Sequence, residues 1–248
     1  MSEAAASAPV ADAAAAGTRV LAGAGAARRR MCGTCLRAQS ACICGWIVPL
    51  QPQVEVLILQ HPLEVQQTKG SARLLHLSLT GSRLEVGEQF DPALLQQWLQ
   101  APGKTSVLLY PGDADQQTPP VPADDLPADN PPPNNPPLPI SLPAAPQDIR
   151  LIVLDGTWRK SRKMLYCNPL LAELARLSLA DMPPSHYRVR KAHRPDQLST
   201  LEAVCYALAQ LECDEAKYAP LLAAFDGFIG QLAQHWERAM GSPHDAGS

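Results

Sequence analysis

The sequence predicts an α/β protein with a mostly parallel sheet, because buried strands alternate with helical patterns along the chain. Residues 151–154 are four large aliphatic residues in a row, which is typical of a strand buried on both faces. The runs 54–59 and 105–110 have the same character. Helical patterns separate these runs, as the crossover connections between parallel strands require.

The first strand, 54–59, is followed by a turn that carries polar side chains. Pro62 ends the strand, because proline lacks the N–H group that pairs strands. His61 and Glu64 therefore lie in a strand-to-helix turn, and a helix is expected over 65–79. A lone histidine is more often structural than catalytic, so we interpret His61 as a structural residue.

Capping residues mark the later helices. Asp91-Pro92 and Asn168-Pro169 each join a capping side chain to a first-turn proline. The helix after Asn168 is expected to carry an apolar stripe formed by Leu170, Leu171, Leu174 and Leu177. Beyond a short strand over 186–191, Ser199 and Glu202 have the spacing of a capping box. A final amphipathic helix is expected over 219–240.

Two segments fall outside this alternating pattern. Residues 1–27 are rich in Ala and Gly and contain no apolar signal core, so we expect a disordered tail on a cytoplasmic protein. Residues 113–148 are rich in proline and lack any period, which predicts a disordered insert within one domain. No run of residues has the length of a membrane-spanning helix.

The net charge of −3 conceals a segregation of charge. Residues 155–194 contain nine Lys or Arg and three acids, whereas residues 111–148 contain six Asp and no Lys or Arg. A basic segment is what a polyanionic partner requires. An ordinary solvated surface is the alternative explanation for the same composition.

Four cysteines lie close together near the start of the chain, at Cys32, Cys35, Cys42 and Cys44. Their CxxC and CxC spacings suit a tetrahedral soft-metal site, with zinc as the first candidate and an iron–sulfur cluster as the rival. Residues 28–48 have little apolar content, so a metal would supply folding free energy that a core cannot. Four cysteines close the coordination shell, which predicts a structural knuckle over 28–48.

The end of the strand at 151–154 carries the most chemistry, in the segment Asp155-Gly156-Thr157-Trp158-Arg159-Lys160. An acid there is expected to emerge at the carboxyl edge of the sheet, where ligands bind in open α/β folds. The alternatives are that Asp155 caps the next helix and that Trp158 fills the core. No G-x-G-x-x-G follows a strand and no P-loop motif occurs, so dinucleotide and P-loop sites are unsupported.

Six motifs, taken in order, make the chain similar to the DTW-domain family, whose bacterial members are tRNA-uridine aminocarboxypropyltransferases. Each motif alone is weak, but their order over residues 30–210, outside the insert, is specific. The motifs are Cys32-x2-Cys35-x6-Cys42-x-Cys44, Gln60-His61-Pro62-x-Glu64, Tyr110-Pro111-Gly112, Asp155-Gly156-Thr157-Trp158, Tyr187-Arg188-x-Arg190-Lys191 and Leu198-Ser199-Thr200-x-Glu202-Ala203.

The resemblance implies a SPOUT-like α/β fold with a deep trefoil knot, which is rare among proteins, in a catalytic domain over 49–241. It also implies the reaction. S-adenosylmethionine would donate its 3-amino-3-carboxypropyl group to N3 of a tRNA uridine and leave as methylthioadenosine. The expected partners are tRNA and this donor, with no obligate protein partner.

This chemistry assigns roles to the side chains of the predicted site. Asp155 is the hypothetical base for the uracil N3 proton, Thr157 hydrogen-bonds the amino-acid end of the donor, and Trp158 stacks on uracil or adenine. Donor binding is expected at Pro111, Gly112, Leu198, Ser199 and Thr200. Phosphate binding is expected at Arg159, Lys160, Arg188, Arg190 and Lys191.

Two rival functions use the same features. A SPOUT-type RNA methyltransferase would use the same donor at its methyl carbon and release adenosylhomocysteine. A non-catalytic, zinc-containing RNA-binding protein would need the basic residues, but neither Asp155 nor the donor.

Overall fold

The computed structural model describes residues 30–67, 70–100, 102–110, 145–179 and 198–240, without the side chains of 235–240. The predicted tail at 1–27, the predicted strand at 186–191 and most of the predicted insert lie outside these residues. Whether the backbone forms the expected knot depends on the connections 111–144 and 180–197, which also lie outside them.

One five-stranded sheet runs through the described residues. Its strands are β1 (Glu55–Gln60), β2 (Arg83–Val86), β3 (Thr105–Leu109), β4 (Ile149–Asp155) and β5 (Ala175–Leu177). They lie in the order β2-β1-β4-β3-β5, and every neighbouring pair is parallel. The expected α/β class with a parallel sheet is therefore confirmed.

Helices cover both faces of the sheet. They are α1 (Ala72–Ser78), α2 (Pro92–Leu99), α3 (Trp158–Cys167), α4 (Pro169–Ala172), α5 (Thr200–Glu212) and α6 (Glu215–Met240). Ile58 and Val153 pack on the face covered by α1, α5 and α6, whereas Leu59 and Leu154 pack on the face covered by α2, α3 and α4. This division follows from the alternation of side chains along a strand.

The sheet order places a topological switch point between β1 and β4, because the chain turns from β1 toward the β2 edge of the sheet and from β4 toward the β5 edge. The region outside the carboxyl ends of β1 and β4 is called the crevice below. Ligands of open α/β sheets bind at such a topological switch point, outside the carboxyl ends of the strands. Gln60 and Asp155 are the last residues of β1 and β4 and lie side by side in register.

The helix expected over 65–79 begins later than predicted. Pro62–Glu64 forms a single 3-10 turn, and α1 begins only at Ala72. Between them, Gln67 N–H donates to the Glu64 carbonyl, and Gly70 N–H donates to the Gln67 carbonyl. Bonds that span three residues close turns and do not propagate an α-helix.

The predicted leucine stripe also divides into two elements. Only Pro169–Ala172 is helical, and Ala175–Leu177 forms β5, which pairs with β3. Leu177 therefore does not belong to the expected helix, because pairing with a sheet edge outweighs a weak local helical period. The other edge strand, Arg83–Val86, is short and carries charged residues, so the sequence pattern does not predict it.

Other predicted boundaries hold closely. Asp91 caps α2 and Pro92 is its first residue, and Ser199 and Glu202 form the expected capping box of α5. The last helix begins at Glu215, not at 219. Pro146–Asp148 forms a 3-10 turn that leads into β4, so the predicted insert extends too far at its end. None of the helices in the described part of the chain has the length and apolar content needed to cross a membrane.

Candidate active site and metal centre

The four predicted cysteine ligands lie together. All four sulfur atoms fall within 4.8 Å of one another, with Cys32 Sγ 3.6 Å from Cys44 Sγ and Cys35 Sγ 3.7 Å from Cys42 Sγ. A Zn–S bond of about 2.3 Å places tetrahedral sulfur ligands about 3.8 Å apart. The cysteine set therefore fits a single tetrahedral ion such as zinc, as the spacing predicted.

The backbone favours the thiolate at Cys32, whereas burial, followed by hydrogen bonds with neighbouring cysteines, raises the pKa of Cys44 to about 12. Hydrogen bonds from the backbone of Cys35 and then of Thr34 lower the pKa of Cys32 to about 6. The tight turn is closed by Leu36 N–H, which donates to the Cys32 carbonyl at 2.9 Å. Leu36 itself has a left-handed backbone, with a φ of 58°. Metal binding requires deprotonated cysteine, and the turn at Cys32 favours that form at one of the four positions.

Hydrogen bonds of several side chains attach the cysteine knuckle, residues 30–48, to the rest of the protein. The Arg37 guanidinium donates to the Gly70 carbonyl at 2.9 Å, and that of Arg73 donates to the Thr34 carbonyl at 2.8 Å. Trp46 Nε1 donates to Gln231 on α6 at 2.6 Å. A Cβ at Gly227 would overlap the Trp46 ring, so glycine is needed where the knuckle meets α6.

Asp155 lies where the sequence places it, at the carboxyl end of β4, and it is only 6% exposed. Both of its carboxylate oxygens accept hydrogen bonds. Gln60 Nε2 donates to Oδ2 at 2.8 Å, and Thr200 Oγ1 donates to Oδ1 at 2.7 Å. Burying an acid is costly unless such partners are present, and these two hold the carboxylate in one orientation.

The helix-capping alternative for Asp155 is wrong. The cap of α3 is Thr157, whose hydroxyl accepts a hydrogen bond from Lys160 N–H at 3.4 Å. Gly156 separates the acid from the cap, and a Cβ there would lie 3.2 Å from the Lys160 Cβ. The turn from β4 into α3 is therefore tight, and it keeps Asp155 in the crevice while Thr157 begins the helix.

The core-packing alternative for Trp158 is also wrong, because 40% of this residue is exposed. Its ring meets the buried Tyr110 ring edge to face, with centroids 5.7 Å apart and an interplanar angle of 84°. The Arg176 guanidinium lies 5.4 Å from the centroid of the same tyrosine. One part of the indole is thus supported by an aromatic neighbour, while another part faces solvent beside the crevice.

The cations of α3 differ in their exposure. Arg159 is exposed, whereas Lys160 Nζ donates to Glu64 Oε1 at 2.7 Å, and Glu64 is buried. The first turn of α3 carries Arg159 and Lys160 and contains no acid. The positive end of the helix dipole lies there and disfavours such cations. Lys160, predicted to bind phosphate, therefore links the first turn of α3 to the 3-10 turn at Pro62–Glu64.

A second ionic group borders the crevice on the β2 side. The Leu63 N–H donates to His61 Nδ1 at 3.1 Å, so the neutral ring carries its proton on Nε2, which lies 2.8 Å from Glu88 Oε2. Lys163 Nζ lies 2.9 Å from Glu88 Oε1. The hydrogen bond from Lys163, followed by that from His61, lowers the pKa of Glu88, and Glu88 in turn raises the pKa of Lys163.

The start of α5 lies beside Asp155, but its amide groups are largely occupied. Ser199 N–H donates to Glu202 Oε2 at 2.8 Å, and Glu202 N–H donates to Ser199 Oγ at 3.2 Å. Leu201 N–H donates to Ser71 Oγ at 3.3 Å. This helix start therefore has less capacity to bind a donor carboxylate than the sequence suggests.

The remaining predicted site residues fall outside the described part of the chain, and these are Pro111, Gly112, Arg188, Arg190 and Lys191. The sequence assigned no role to two residues that border the crevice, Gln60 and Glu88. Gln60 had two signals, its place in the motif Gln60-His61-Pro62-x-Glu64 and its position at the end of a buried strand. Glu88 had none, because it lies in a loop after a strand that no pattern predicted.

The fold and the crevice define an α/β protein with a buried carboxylate at the switch point of a parallel sheet and a cysteine knuckle on one face. The model of the DTW domain matches residues 29–233, and the chain belongs to the DTW-domain family. The resemblance recognised in the sequence motifs is thereby confirmed.

Among curated proteins, the chain is similar to tRNA-uridine aminocarboxypropyltransferase 2 of Mus musculus, with 27% identity over 215 residues. The protein of that name from Drosophila melanogaster is 29% identical over 194 residues. These matches cover 85% and 75% of this chain, and 66% and 68% of the respective relatives. The chain thus spans about two thirds of the length of these relatives. No solved structure matches the chain significantly.

Proposed function

We propose that this protein transfers the 3-amino-3-carboxypropyl group of S-adenosylmethionine to N3 of a uridine in tRNA. The observation that carries the proposal is the buried Asp155 carboxylate at the switch point between β1 and β4, beside the exposed Trp158. This pair comes from the motif that identifies the family. The name of the relatives suggests the class of reaction, and the side chains at the crevice are of the types that this reaction needs.

The proposed reaction needs one proton acceptor and a controlled direction of attack. Asp155 accepts the N3 proton of uracil as N3 attacks the γ-carbon of the aminocarboxypropyl group. The bond from that carbon to the sulfonium sulfur breaks, and its electron pair stays on sulfur, giving neutral methylthioadenosine. Because three carbons of the sulfonium are open to attack, orientation in the crevice decides the product.

The donor is proposed to lie across the carboxyl ends of the strands. Thr157 binds its amino-acid end, and backbone groups contribute at Pro111, Gly112, Leu198, Ser199 and Thr200, while the Thr200 hydroxyl donates to Asp155. The contacts of the α5 start support a role in shaping the donor site more than in neutralising the donor carboxylate, since three of its amides already have acceptors.

The tRNA is proposed to approach along α3. Its exposed cations, together with those at 188–191, bind phosphates, while Trp158 stacks on the target uracil. Trp158 is suited to stack on a base that arrives from solvent, because its ring is partly exposed and is held in place by its contact with the Tyr110 ring. Binding of tRNA should weaken steeply with salt, and a flat salt profile would remove the phosphate contacts from the proposal.

The knuckle is proposed to hold a structural zinc ion through Cys32, Cys35, Cys42 and Cys44. The compact sulfur set favours one ion over an iron–sulfur cluster, which places several irons and sulfides between its cysteines. Elemental analysis of the purified protein should find one zinc per chain. Iron with acid-labile sulfide would instead identify the site as an iron–sulfur cluster.

We also retain the SPOUT-type knot and a cytoplasmic location as parts of the proposal.

The decisive experiment incubates the protein with S-adenosylmethionine and unmodified tRNA, and analyses both products. Nucleoside mass spectrometry should find uridine that has gained the 3-amino-3-carboxypropyl group, with methylthioadenosine as by-product. Adenosylhomocysteine and a methylated nucleoside would assign the protein to the methyltransferases. Binding of tRNA without binding of the donor would assign it to the non-catalytic RNA-binding proteins.

A further inference from the structure

We infer that Thr200 and Gln60 are positioning residues that fix the orientation of the Asp155 carboxylate. This inference rests on the proposed function and goes beyond it. The sequence assigns Thr200 to the donor, and it gives Gln60 no role. The hydrogen bonds instead direct both side chains to the acid.

The two donors contact different oxygens of the same carboxylate. Thr200 Oγ1 lies 2.7 Å from Oδ1, and Gln60 Nε2 lies 2.8 Å from Oδ2. A carboxylate held at one oxygen still rotates about its last bond, whereas two donors on two oxygens define its plane. An ionised carboxylate oxygen can accept more than one hydrogen bond, so these two donors do not by themselves prevent the carboxylate from accepting a uracil N–H.

Both donors are themselves firmly placed. Gln60 ends β1 in register with Asp155 and is 5% exposed, so the sheet fixes its distance from the acid. Thr200 is the first residue of α5, which is held by its capping box and by the bond from Leu201 N–H to Ser71 Oγ. Catalytic groups need such support, because small misplacements of a reacting atom cost much of the rate.

The inference separates two roles that a hydroxyl at the donor site can have. A hydroxyl that binds the donor contributes to donor affinity. A hydroxyl that orients the base contributes to turnover and leaves donor affinity nearly unchanged. A hydroxyl that only stabilises the fold changes neither donor affinity nor turnover, when both are measured per folded molecule.

The test compares Thr200→Val, which removes the hydroxyl at nearly constant volume, with Thr200→Ser, which keeps it. Turnover is measured as methylthioadenosine formed on unmodified tRNA, and donor affinity is measured by calorimetry on the folded protein. We expect Thr200→Val to lower kcat about tenfold or more, a range in which positioning effects fall, and to change the donor Kd by less than about threefold. Thr200→Ser should restore most of kcat. The exposed Thr105 at the start of β3 supplies a control, Thr105→Val, which should leave kcat unchanged.

Gln60→Met provides an independent arm if Thr200→Val unfolds, since it removes the amide and keeps a long side chain. It should also lower kcat and spare donor affinity. The inference is overturned if both variants keep the wild-type kcat, or if they weaken donor binding as much as they lower kcat. Wild-type protein that forms no methylthioadenosine would overturn the proposed function as well, whereas active wild type with fully active variants would overturn this inference alone.

Discussion

The two ends of β1 and β4 present the same geometry with different chemistry. At the amino edge of the sheet, Glu55 and Arg150 lie in register, and their side chains form an ion pair at 2.7 Å. The Arg150 guanidinium also donates to the Trp98 carbonyl, and Lys104 approaches Glu55 at 3.8 Å. Each charged group at this edge is matched by a charged or polar group of the protein.

At the carboxyl edge, the residue in register with the acid is an amide. Gln60 donates to Asp155, and a hydroxyl from α5 donates to the other oxygen. A guanidinium neutralises the acid beside it, whereas an amide orients the acid and adds no charge. In the described residues, the acid at the amino edge is paired with a cation, whereas the acid at the carboxyl edge accepts hydrogen bonds from a neutral amide and a neutral hydroxyl. The proposed function assigns the reaction to this second edge.

The largest effect on the rate of transfer is expected when the Gln60 amide is changed into an acid. Gln60→Glu places a second carboxylate against Asp155 at the same length, and two adjacent carboxylates cannot both stay ionised without strong repulsion. We expect transfer to fall about 100-fold, within the range attributed to general bases, as measured by methylthioadenosine formation at pH 7. Gln96→Glu on the exposed side of α2 is the matched control. Equal activity of both variants would show that the orienting amide has no role.

The converse change at the amino edge should affect stability. Arg150→Met removes the guanidinium and leaves Glu55 with the more distant Lys104. Removing one partner of a buried pair costs several kcal/mol, and because Glu55 is about one-third exposed we expect about 2 kcal/mol. Urea unfolding measures this loss, while turnover per folded molecule should stay at the wild-type level. A drop in turnover without a drop in stability would place this edge in the reaction.

A third effect concerns the side of the crevice that faces solvent. Trp158→Ala removes the exposed indole, and stacking on one base is worth about 1–3 kcal/mol. We expect KM for tRNA to rise about tenfold, with donor affinity unchanged, whereas Trp158→Phe should retain most of the affinity. Leu94→Ala, another exposed apolar position, should have no effect. Weaker donor binding in Trp158→Ala would mean that the indole stacks on adenine instead of uracil.

The smallest predicted effect is a pH dependence at the rim of the carboxyl edge. Lys163 and His61 hold the pKa of Glu88 below its ordinary value. A group whose pKa is lower in the folded state stabilises the protein above its unfolded pKa, which is about 4.3 for glutamate. This contribution is lost as the pH falls through the folded pKa. The difference in unfolding free energy between wild type and Glu88→Gln should therefore be largest near neutral pH and shrink below about pH 4. A difference that is constant from pH 7 to pH 3 would contradict the ionic role of Glu88.

The strongest local patterns predicted the parts of the fold that depend on local chemistry. Four consecutive aliphatic residues identified β4 and placed Asp155 at its carboxyl end. The capping box at Ser199 and Glu202 and the Asp91-Pro92 pair located two helix starts. These signals are readable because the residues that form each cap or strand lie within a few positions of one another in the chain.

The edges of the sheet and the partners of the site residues were not predictable in this way. Strands β2 and β5 are short, and their pairing with β1 and β3 depends on the sheet and not on their own composition. Gln60 and Asp155 lie far apart in sequence and meet only because β1 and β4 are neighbours. The pairing of Lys160 with Glu64 has the same origin.

The most direct test of the account is the rate of product formation by Asp155→Asn in a single turnover with saturating donor and unmodified tRNA. The variant keeps the shape of the side chain and loses the negative charge. The account predicts that it binds the donor as the wild type does and forms aminocarboxypropyl-uridine at least about 100-fold more slowly. A rate close to that of the wild type would remove Asp155 from the reaction and contradict the account.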